Sequence, residues 1–374
     1  MAKLDVTVAG LHFPNPIIAG AGPQVDGPEA LLATLQGGAG GLTARTMLKE
    51  PFIQPPEPSV VPYSRDGILT SQRGSPRTLT QWGVPPVIDV PVIASLAGEA
   101  REIGGLGARL VAGGASALEV STAFLAWEDA VAAIQALRRA VAVPIIAKLS
   151  LRHGEDIADR AAEVEPYVDA FTCIGGFGPV IDIDVDKNIG ASRLGDPWGY
   201  GWLSGGPIHP IAVRTVFEVA RRVKKPVIAS GGAMTVRDVV EFLEVGASLV
   251  QVTTGAILKG PSIYGELARG LSNWLDEHGY SSVADIQGLY LKRYGHGQRV
   301  VLTTEEAPML DESKCTGCTI CGQVCYYDAI NAHPKQMPVI DPALCFQCGL
   351  CVSACPDGAL SFRPRAEVTM LPGR

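Results

Sequence analysis

Eight of the chain's nine cysteines fall in its C-terminal segment, in two runs of identical spacing: Cys315, Cys318, Cys321 and Cys325, then Cys345, Cys348, Cys351 and Cys355. Each run reads C-x2-C-x2-C-x3-C, and Pro356 follows the second. Two-residue gaps let one tight turn aim three thiolates at a single inorganic cube, while the fourth cysteine, set further along, must reach elsewhere. A structural zinc ion needs only four ligands and usually takes them from two separated pairs or a Cys/His mixture. Disulfides belong to oxidising compartments, and the opening Met1-Ala2-Lys3-Leu4-Asp5 has no apolar segment of a secretion signal, so a cytoplasmic protein is expected. Eight clustered thiols in that setting read as ligands of two 4Fe–4S clusters.

In two-cluster ferredoxins the fourth cysteine of each run ligates the other cluster. The same crossing assigns Cys315, Cys318, Cys321 and Cys355 to one cluster, and Cys345, Cys348, Cys351 and Cys325 to the other. Tyr326 departs from the pattern, standing where the first run would more often carry proline; one turn is loosened and the ligand count is unchanged. Clusters of this kind move single electrons, so the rest of the chain should hold the site they serve.

That remainder is about 300 residues, the size of one large α/β domain. A net charge of −7 without basic runs argues against nucleic acid or an anionic membrane as partner. The apolar runs are strand-length, far short of the roughly 20 residues of a membrane span.

From residue 15 onward, short apolar β-branched runs alternate with amphipathic segments. Strands are expected at 16–20, 40–44, 91–96, 117–121, 144–149, 168–174, 226–230 and 248–254. Helices are expected at 27–36, 98–112, 127–140, 155–164, 210–223, 236–245 and 262–278. Strands apolar on both faces and separated by helices suit a fully covered parallel sheet. Eight strands and seven helices fit a closed (β/α)8 TIM barrel better than a doubly wound sheet. The irregular 51–86 stretch stands where the eighth helix would fall, and 175–206 reads as a second irregular insertion. The Rossmann alternative meets Gly20-Ala21-Gly22 after a strand, but no third glycine at fingerprint spacing. A further helix over 281–294 leaves the barrel. The expected division is a barrel over 1–295, a linker over 296–310, and an α+β two-cluster ferredoxin-like domain over 311–374.

Barrel chemistry sits at the C-terminal ends of the strands, often with a phosphate site after strands seven and eight. Strand seven ends in Ser230-Gly231-Gly232 and strand eight in Thr253-Thr254-Gly255. Glycines let backbone N–H groups approach a phosphate, and hydroxyls add donors. A nucleotide monophosphate such as FMN would suit; the alternative is that these glycines only turn the chain.

The run Gly201-Trp202-Leu203-Ser204-Gly205-Gly206-Pro207-Ile208-His209-Pro210-Ile211-Ala212 resembles the S-G-x-x-x-K-P-I-A motif of the dihydroorotate dehydrogenase family. Pro226 to Met234, Gln251-Val252-Thr253-Thr254 and Phe13-Pro14-Asn15-Pro16 resemble the same family, and the fused two-cluster module looks most like the pyrimidine-reducing portion of dihydropyrimidine dehydrogenase. The resemblance covers essentially the whole barrel. It implies FMN, with its phosphate held by Gly231, Gly232, Thr253 and Thr254 near Ser204 and Gly205, and its ring over Ala19, Gly20, Ala21 and Gly22. Lys148 matches the lysine of the family's K-[ML]-[ST]. It also suggests a dimer.

The sequence departs from the family in three places. Arg45, followed by Thr46, replaces the lysine of V-T-K-T; its permanent charge can still stabilise a reduced flavin. Where the family reads E-L-N-x-S-C-P and carries its acid or base, this chain reads Glu119-Val120-Ser121-Thr122-Ala123-Phe124. After strand six, N-[ST]-I becomes Thr172-Cys173-Ile174. Cys173 and His153 are the candidate proton carriers, alongside Lys148 and Arg45 in the catalytic set. A buried inert thiol and an exposed loop histidine are the plain alternatives. His209 reads as structural. Arg65, Arg73, Arg152 and Arg193 could clamp a carboxylate, and Trp82, Trp127, Trp198 and Tyr200 could wall a pocket, or all could merely pack or solvate the insertions.

These readings describe an FMN-dependent iron–sulfur oxidoreductase acting on a C=C or C–C bond of a small cyclic or anionic substrate. The alternative is an electron-transfer subunit with FMN as a relay. No NAD(P)H site is visible, so a redox partner is expected: a separate NAD(P)H-oxidising flavoprotein subunit or a ferredoxin, in a homodimer or hetero-oligomer.

Overall fold

The barrel strands have almost no exposed face. Every residue of Leu42–Met47, Val92–Leu96, Ala117–Ser121 and Val227–Ser230 is buried, as a sheet covered on both sides requires. The structure is a computed structural model that describes residues 2–53, 56–72, 74–154, 156–294 and 307–362. Arg73, Glu155 and 296–306 of the expected linker lie outside the described residues. The chain divides into two compact units, Met1–Gly295 and His296–Arg374.

In the first unit, strands β1 (Val6–Val8) and β2 (Leu11–Phe13) form a hairpin. There follow β3 (Ile17–Ala19), α1 (Pro28–Gln36), β4 (Leu42–Met47), β5 (Val60–Ser64), β6 (Gly67–Thr70), β7 (Val92–Leu96), α2 (Ala100–Ala112), β8 (Ala117–Ser121), α3 (Trp127–Ala140), β9 (Ile145–Lys148), α4 (Ile157–Val164) and β10 (Ala170–Cys173). After β11 (Phe177–Ile181), β12 (Ile183–Asp184), β13 (Ala191–Ser192) and β14 (Tyr200–Gly205) come α5 (His209–Ala220), β15 (Val227–Ser230), α6 (Val236–Glu244), β16 (Ala247–Val252), α7 (Thr254–Lys259) and α8 (Ile263–Glu277). Strands β3, β4, β7, β8, β9, β10, β15 and β16 close into an eight-stranded barrel, all neighbours parallel.

Local chemistry sets the helices. Helix α6 opens on a reciprocal cap, Thr235 Oγ1 accepting from the Asp238 amide and the Asp238 carboxylate accepting from the Thr235 amide at 2.8 Å. It buries Val239, Val240, Phe242 and Leu243, about 1.5–3 kcal/mol for each such large apolar side chain.

Period-two alternation builds the lumen in layers. Ile18, Ile93, Ala117, Ile146, Ala170, Ile228 and Leu249 pack with Val8 and Phe13 of the hairpin, which plugs the bottom. Two residues further along their strands stand Glu119, Lys148, Thr172 and Gln251, a polar layer.

The two stretches read as irregular are ordered together. Strands β11, β14, β6 and β5 form an antiparallel sheet, Trp202 opposite Thr70 and Ser204 opposite Ile68, around a small core of Val61, Leu69 and Leu194. Its edge strands contain Pro62 and Pro179. Proline is tolerated only at such edges, and it masks the strand pattern. The expected helix over 281–294 is also corrected. Gly288, at φ +72°, splits it into α9 (Val283–Ile286) and α10 (Leu289–Tyr294). They return to the barrel: Val283 and Ile286 are buried and the Gly288 amide donates to Leu243 O at 2.9 Å.

The second unit repeats one small device twice. Helices α11 (Ile320–Gln323) and α12 (Leu350–Ala354) accompany two strand pairs, Met309–Leu310 with Leu360–Ser361 and Ile330–Asn331 with Val339–Ile340. Cys321, Ile330, Cys351 and Leu360 form its core.

Candidate functional site

A cleft enclosing about 1400 Å³, its open mouth included, lies at the C-terminal ends of the barrel strands. One side is made by turns. Ser230 ends β15 and Gly231 and Gly232 follow it; Thr253 and Thr254 follow β16; Ser204 and Gly205 end β14. Gly205, Gly231 and Gly232 have φ of +91°, +118° and +87°, backbone that L side chains resist. A Cβ on Gly232 would stand 2.8 Å from both Gly205 O and His209 Cα. Thr254 Oγ1 donates to Ser204 Oγ at 2.9 Å, tying two of these turns together. Such a cradle of glycine turns and hydroxyls, with the first amides of α7 free of intrahelical partners, has the chemistry of a phosphate site. The residues fit an FMN phosphate.

The ring side is narrower than expected. Ala21 and Gly22 line the cleft, joined by Pro23. Ala19 does not: it is fully buried among the sheet–helix contacts, and Gly20 is packed under Thr253 and Gln251.

Arg45 and Lys148 are the two charged side chains of the described lining, which holds no carboxyl, imidazole or thiol. Both are anchored. Arg45 Nη1 donates to Asp26 Oδ2 at 3.0 Å and its Nη2 to Gln72 Oε1 at 3.1 Å, while Ser75 Oγ holds the other Asp26 oxygen at 2.8 Å. Thr46 Oγ1 meets Ser95 Oγ at 2.9 Å. Lys148 Nζ donates to Glu119 Oε1 at 3.2 Å and to Gln251 Oε1 at 3.1 Å. Gln251 Nε2 in turn donates to Glu119 Oε2 at 2.8 Å and to Thr43 Oγ1 at 3.2 Å, reaching across the lumen between strands that are not neighbours. Glu119 and Gln251 were missed by sequence reasoning as site residues; the available signal was a charged or amide side chain within an otherwise apolar covered strand.

The remaining candidates lie elsewhere. Thr172 projects inward to Glu119, so Cys173, the next residue on β10, faces the helical layer and not the cleft. Burial pushes its thiol well above the ordinary range. His153 is half-buried beside the cleft, its Nε2 3.0 Å from Thr122 O and its ring tilted against Trp127. It is not part of the lining. His209 is buried with Nε2 2.8 Å from Glu241 Oε2. Arg152 donates to Ala123 O, Arg193 is paired with Asp182, and Arg65 is exposed. Trp82 donates to Leu110 O and Trp127 to Glu163, while Trp198 and Tyr200 face solvent. The aromatic walls are instead Trp202 and Phe124, the latter standing where the family pattern carries its acid or base.

In the second unit Cys315, Cys318, Cys321 and Cys355 line one small cavity, and Cys325, Cys345, Cys348 and Cys351 line another. Burial first, and then the neighbouring cysteines, push the Cys321 and Cys351 thiols upward.

A family model described as dihydroorotate dehydrogenase matches residues 119–275, and one described as a 4Fe–4S dicluster domain matches residues 308–362. A dihydroorotate dehydrogenase B (NAD(+)) catalytic subunit of Thermococcus kodakarensis is 31% identical over 310 residues, covering 78% of this chain and 99% of that protein. Its counterpart from Pyrococcus abyssi is 31% identical over 304 residues, covering 77% and 99%. A putative dihydroorotate dehydrogenase A (fumarate) of Aeropyrum pernix is 29% identical over 307 residues, covering 76% and 97%. No described helix is long and apolar enough to cross a membrane. With 31% identity to relatives that it covers over 99% of their length, the chain belongs to the dihydroorotate dehydrogenase family of FMN-dependent oxidoreductases acting on CH–CH bonds.

Proposed function

We propose that FMN sits in the cleft at the barrel mouth and exchanges electrons with two 4Fe–4S clusters carried by the C-terminal unit, serving reduction or oxidation of a C=C or C–C bond in a small cyclic or anionic substrate. The observation that supports this most strongly is one cleft combining a positive-φ glycine cradle with two anchored cations. FMN, when bound, converts between hydride transfer and single-electron transfer, which clusters alone cannot do.

Gly231, Gly232, Thr253 and Thr254, with Ser204 and Gly205, would hold the phosphate. Arg45 and Lys148 would oppose negative charge on the ring, each kept in place by its own carboxylate partner. Crossed cysteine sets, Cys315, Cys318, Cys321 with Cys355 and Cys345, Cys348, Cys351 with Cys325, would bind the clusters. The lining offers hydroxyls and the Lys148 ammonium for a proton, because Cys173 and His153 do not line it. Electrons would come from a separate NAD(P)H-oxidising flavoprotein subunit or a ferredoxin, within a homodimer or hetero-oligomer.

A second reading, an electron-transfer subunit with FMN as relay, is favoured by Phe124 at the family's acid–base position. One anaerobic experiment separates the two. The purified protein is reduced with dithionite until its flavin bleaches, then mixed with uracil, thymine, orotate and other unsaturated rings and carboxylates. Reoxidation by one of them supports the enzyme; a flavin inert to the whole panel supports the relay.

A further inference from the structure

Resting on the flavoprotein reading above, we propose that Arg77 positions Arg45 through a shared carboxylate, Asp26, and leaves that end of the cleft with excess positive charge. The excess favours anionic states of the bound flavin. Asp26 stands just after the turn Pro23–Val25, which continues from the lining residues Ala21 and Gly22. Its Oδ2 accepts from Arg45 Nη1 at 3.0 Å. Its Oδ1 accepts from Ser75 Oγ at 2.8 Å and lies 3.4 Å from Arg77 Nε, which also donates to Asp26 O at 3.1 Å. The Arg77 guanidinium packs against Gly27, where a Cβ would stand 2.6 Å from its Nη2. Ser75 is fully buried, and its Oγ accepts from the Arg77 amide at 3.1 Å, so the brace is fixed at both ends.

Charge decides what the brace does. One carboxylate is shared by two guanidiniums, so the trio keeps one positive charge in excess. Arg45, 8% exposed and part of the cleft lining, is the member that meets a ligand. An arginine does not shed its proton to relieve the excess. Arg77 is 37% exposed, so water screens its charge in part and the effect at the cleft is modest. Removing Arg77 gives the whole Asp26 carboxylate to Arg45 and neutralises the pair. Removing the Asp26 charge leaves both cations and enlarges the excess. A brace that only held the turn would be weakened by both changes alike, whereas a charge effect makes them act in opposite directions on any flavin property that senses an anion.

The test uses the full-length protein as purified, its flavin and iron content measured first. Sulfite adds reversibly to oxidised flavin and leaves negative charge on the ring, so its dissociation constant, read from bleaching of the flavin band, reports nearby positive charge without turnover. Arg77→Met is expected to weaken sulfite binding about three- to tenfold, and Arg77→Lys to stay within about twofold of the parent. Asp26→Asn is expected to bind sulfite more tightly than the parent. Should Arg77→Met lose its flavin, Asp26→Asn decides alone by the same sign. Unchanged or tighter binding in Arg77→Met, unchanged or weaker binding in Asp26→Asn, or an Arg77→Lys that behaves like Arg77→Met overturns the Arg77 proposal and leaves the flavoprotein reading intact. So does a flavin-loaded parent that forms no adduct, or loss of flavin from both Arg77→Met and Asp26→Asn, which would mark the trio as a structural brace. Parent protein that carries no flavin and takes up none from added FMN overturns that reading, and the proposal falls with it.

Discussion

Lys148 Nζ lies 3.2 Å from Glu119 Oε1, and the other oxygen of that carboxylate accepts from Thr172 Oγ1 and Gln251 Nε2, each at 2.8 Å. One fully buried carboxylate thus fixes side chains from three other strands of the barrel. Two of them, Lys148 and Gln251, reach the cleft.

Breaking that buried pair leaves an uncompensated charge. Glu119→Leu is expected to destabilise the protein by about 3–5 kcal/mol. The double variant with Lys148→Met recovers part of the loss, with a coupling of about 1–3 kcal/mol. Denaturant titration of the two single variants and the double one measures the cycle. Strictly additive losses would mean that the 3.2 Å contact carries no energy.

Gly232 makes a second prediction. At φ +87° a side chain is strained, and a Cβ would meet Gly205 O and His209 Cα at 2.8 Å. Gly232→Ala should cost about 1–3 kcal/mol and weaken FMN retention more than a control such as Gly83→Ala, whose Cβ would meet nothing within 4 Å. Flavin released per mole of protein, with the melting curve beside it, is the measurement. Full flavin occupancy in Gly232→Ala would remove these turns from the phosphate site.

The barrel was legible in the chain because its strands are apolar on both faces, a pattern few other elements produce. That the turns after the last two barrel strands line the cleft was legible from their glycine and threonine pairs. The antiparallel sheet was not legible, because Pro62 and Pro179 interrupt its edge strands and its pairing joins residues 67–70 with 202–205. Cys173 was misplaced by a single residue of register. Thr172 and Cys173 point to opposite faces of β10, and only the inward contact of Thr172 with Glu119 fixes which is which. Phe124 and Trp202 stood in plain view, but nothing local distinguishes an aromatic residue that lines a cleft from one that packs a loop.

Cys173 should therefore behave as a core residue. Its thiol is fully buried, and burial raises its pKa in the folded state. Thiol alkylation at pH 8 should leave Cys173 unmodified in native protein and label it after denaturation, as mass spectrometry of the peptide would record. The sign of the linkage follows: a group held protonated by folding costs nothing below its unfolded pKa, near 8.5, and stability falls as pH rises above it. Cys173→Ala removes that alkaline loss, and its flavin chemistry should match the parent protein. Rapid labelling of the native thiol would restore it as a candidate at the site.

The crossed cysteine sets give the last prediction. Cys355 lines its cavity with Cys315, Cys318 and Cys321, although it lies closer in sequence to Cys351; Cys325 lines the other cavity with Cys345, Cys348 and Cys351. If ligation follows these cavities, Cys355→Ser disturbs the cluster of the first run and Cys325→Ser that of the second. Each variant should then lose up to roughly half of the iron and sulfide of the parent, or retain a cluster of altered spectrum, with the other cluster unchanged. Combining Cys355→Ser with Cys318→Ser should cost no more than one cluster, because both changes fall on the same cavity. Combining Cys355→Ser with Cys348→Ser should abolish both. Iron analysis with electron paramagnetic resonance of the reduced protein distinguishes the pairs. Loss of both clusters in the Cys318/Cys355 pair, with one cluster surviving in the Cys348/Cys355 pair, would mean that each run binds its own cluster uncrossed.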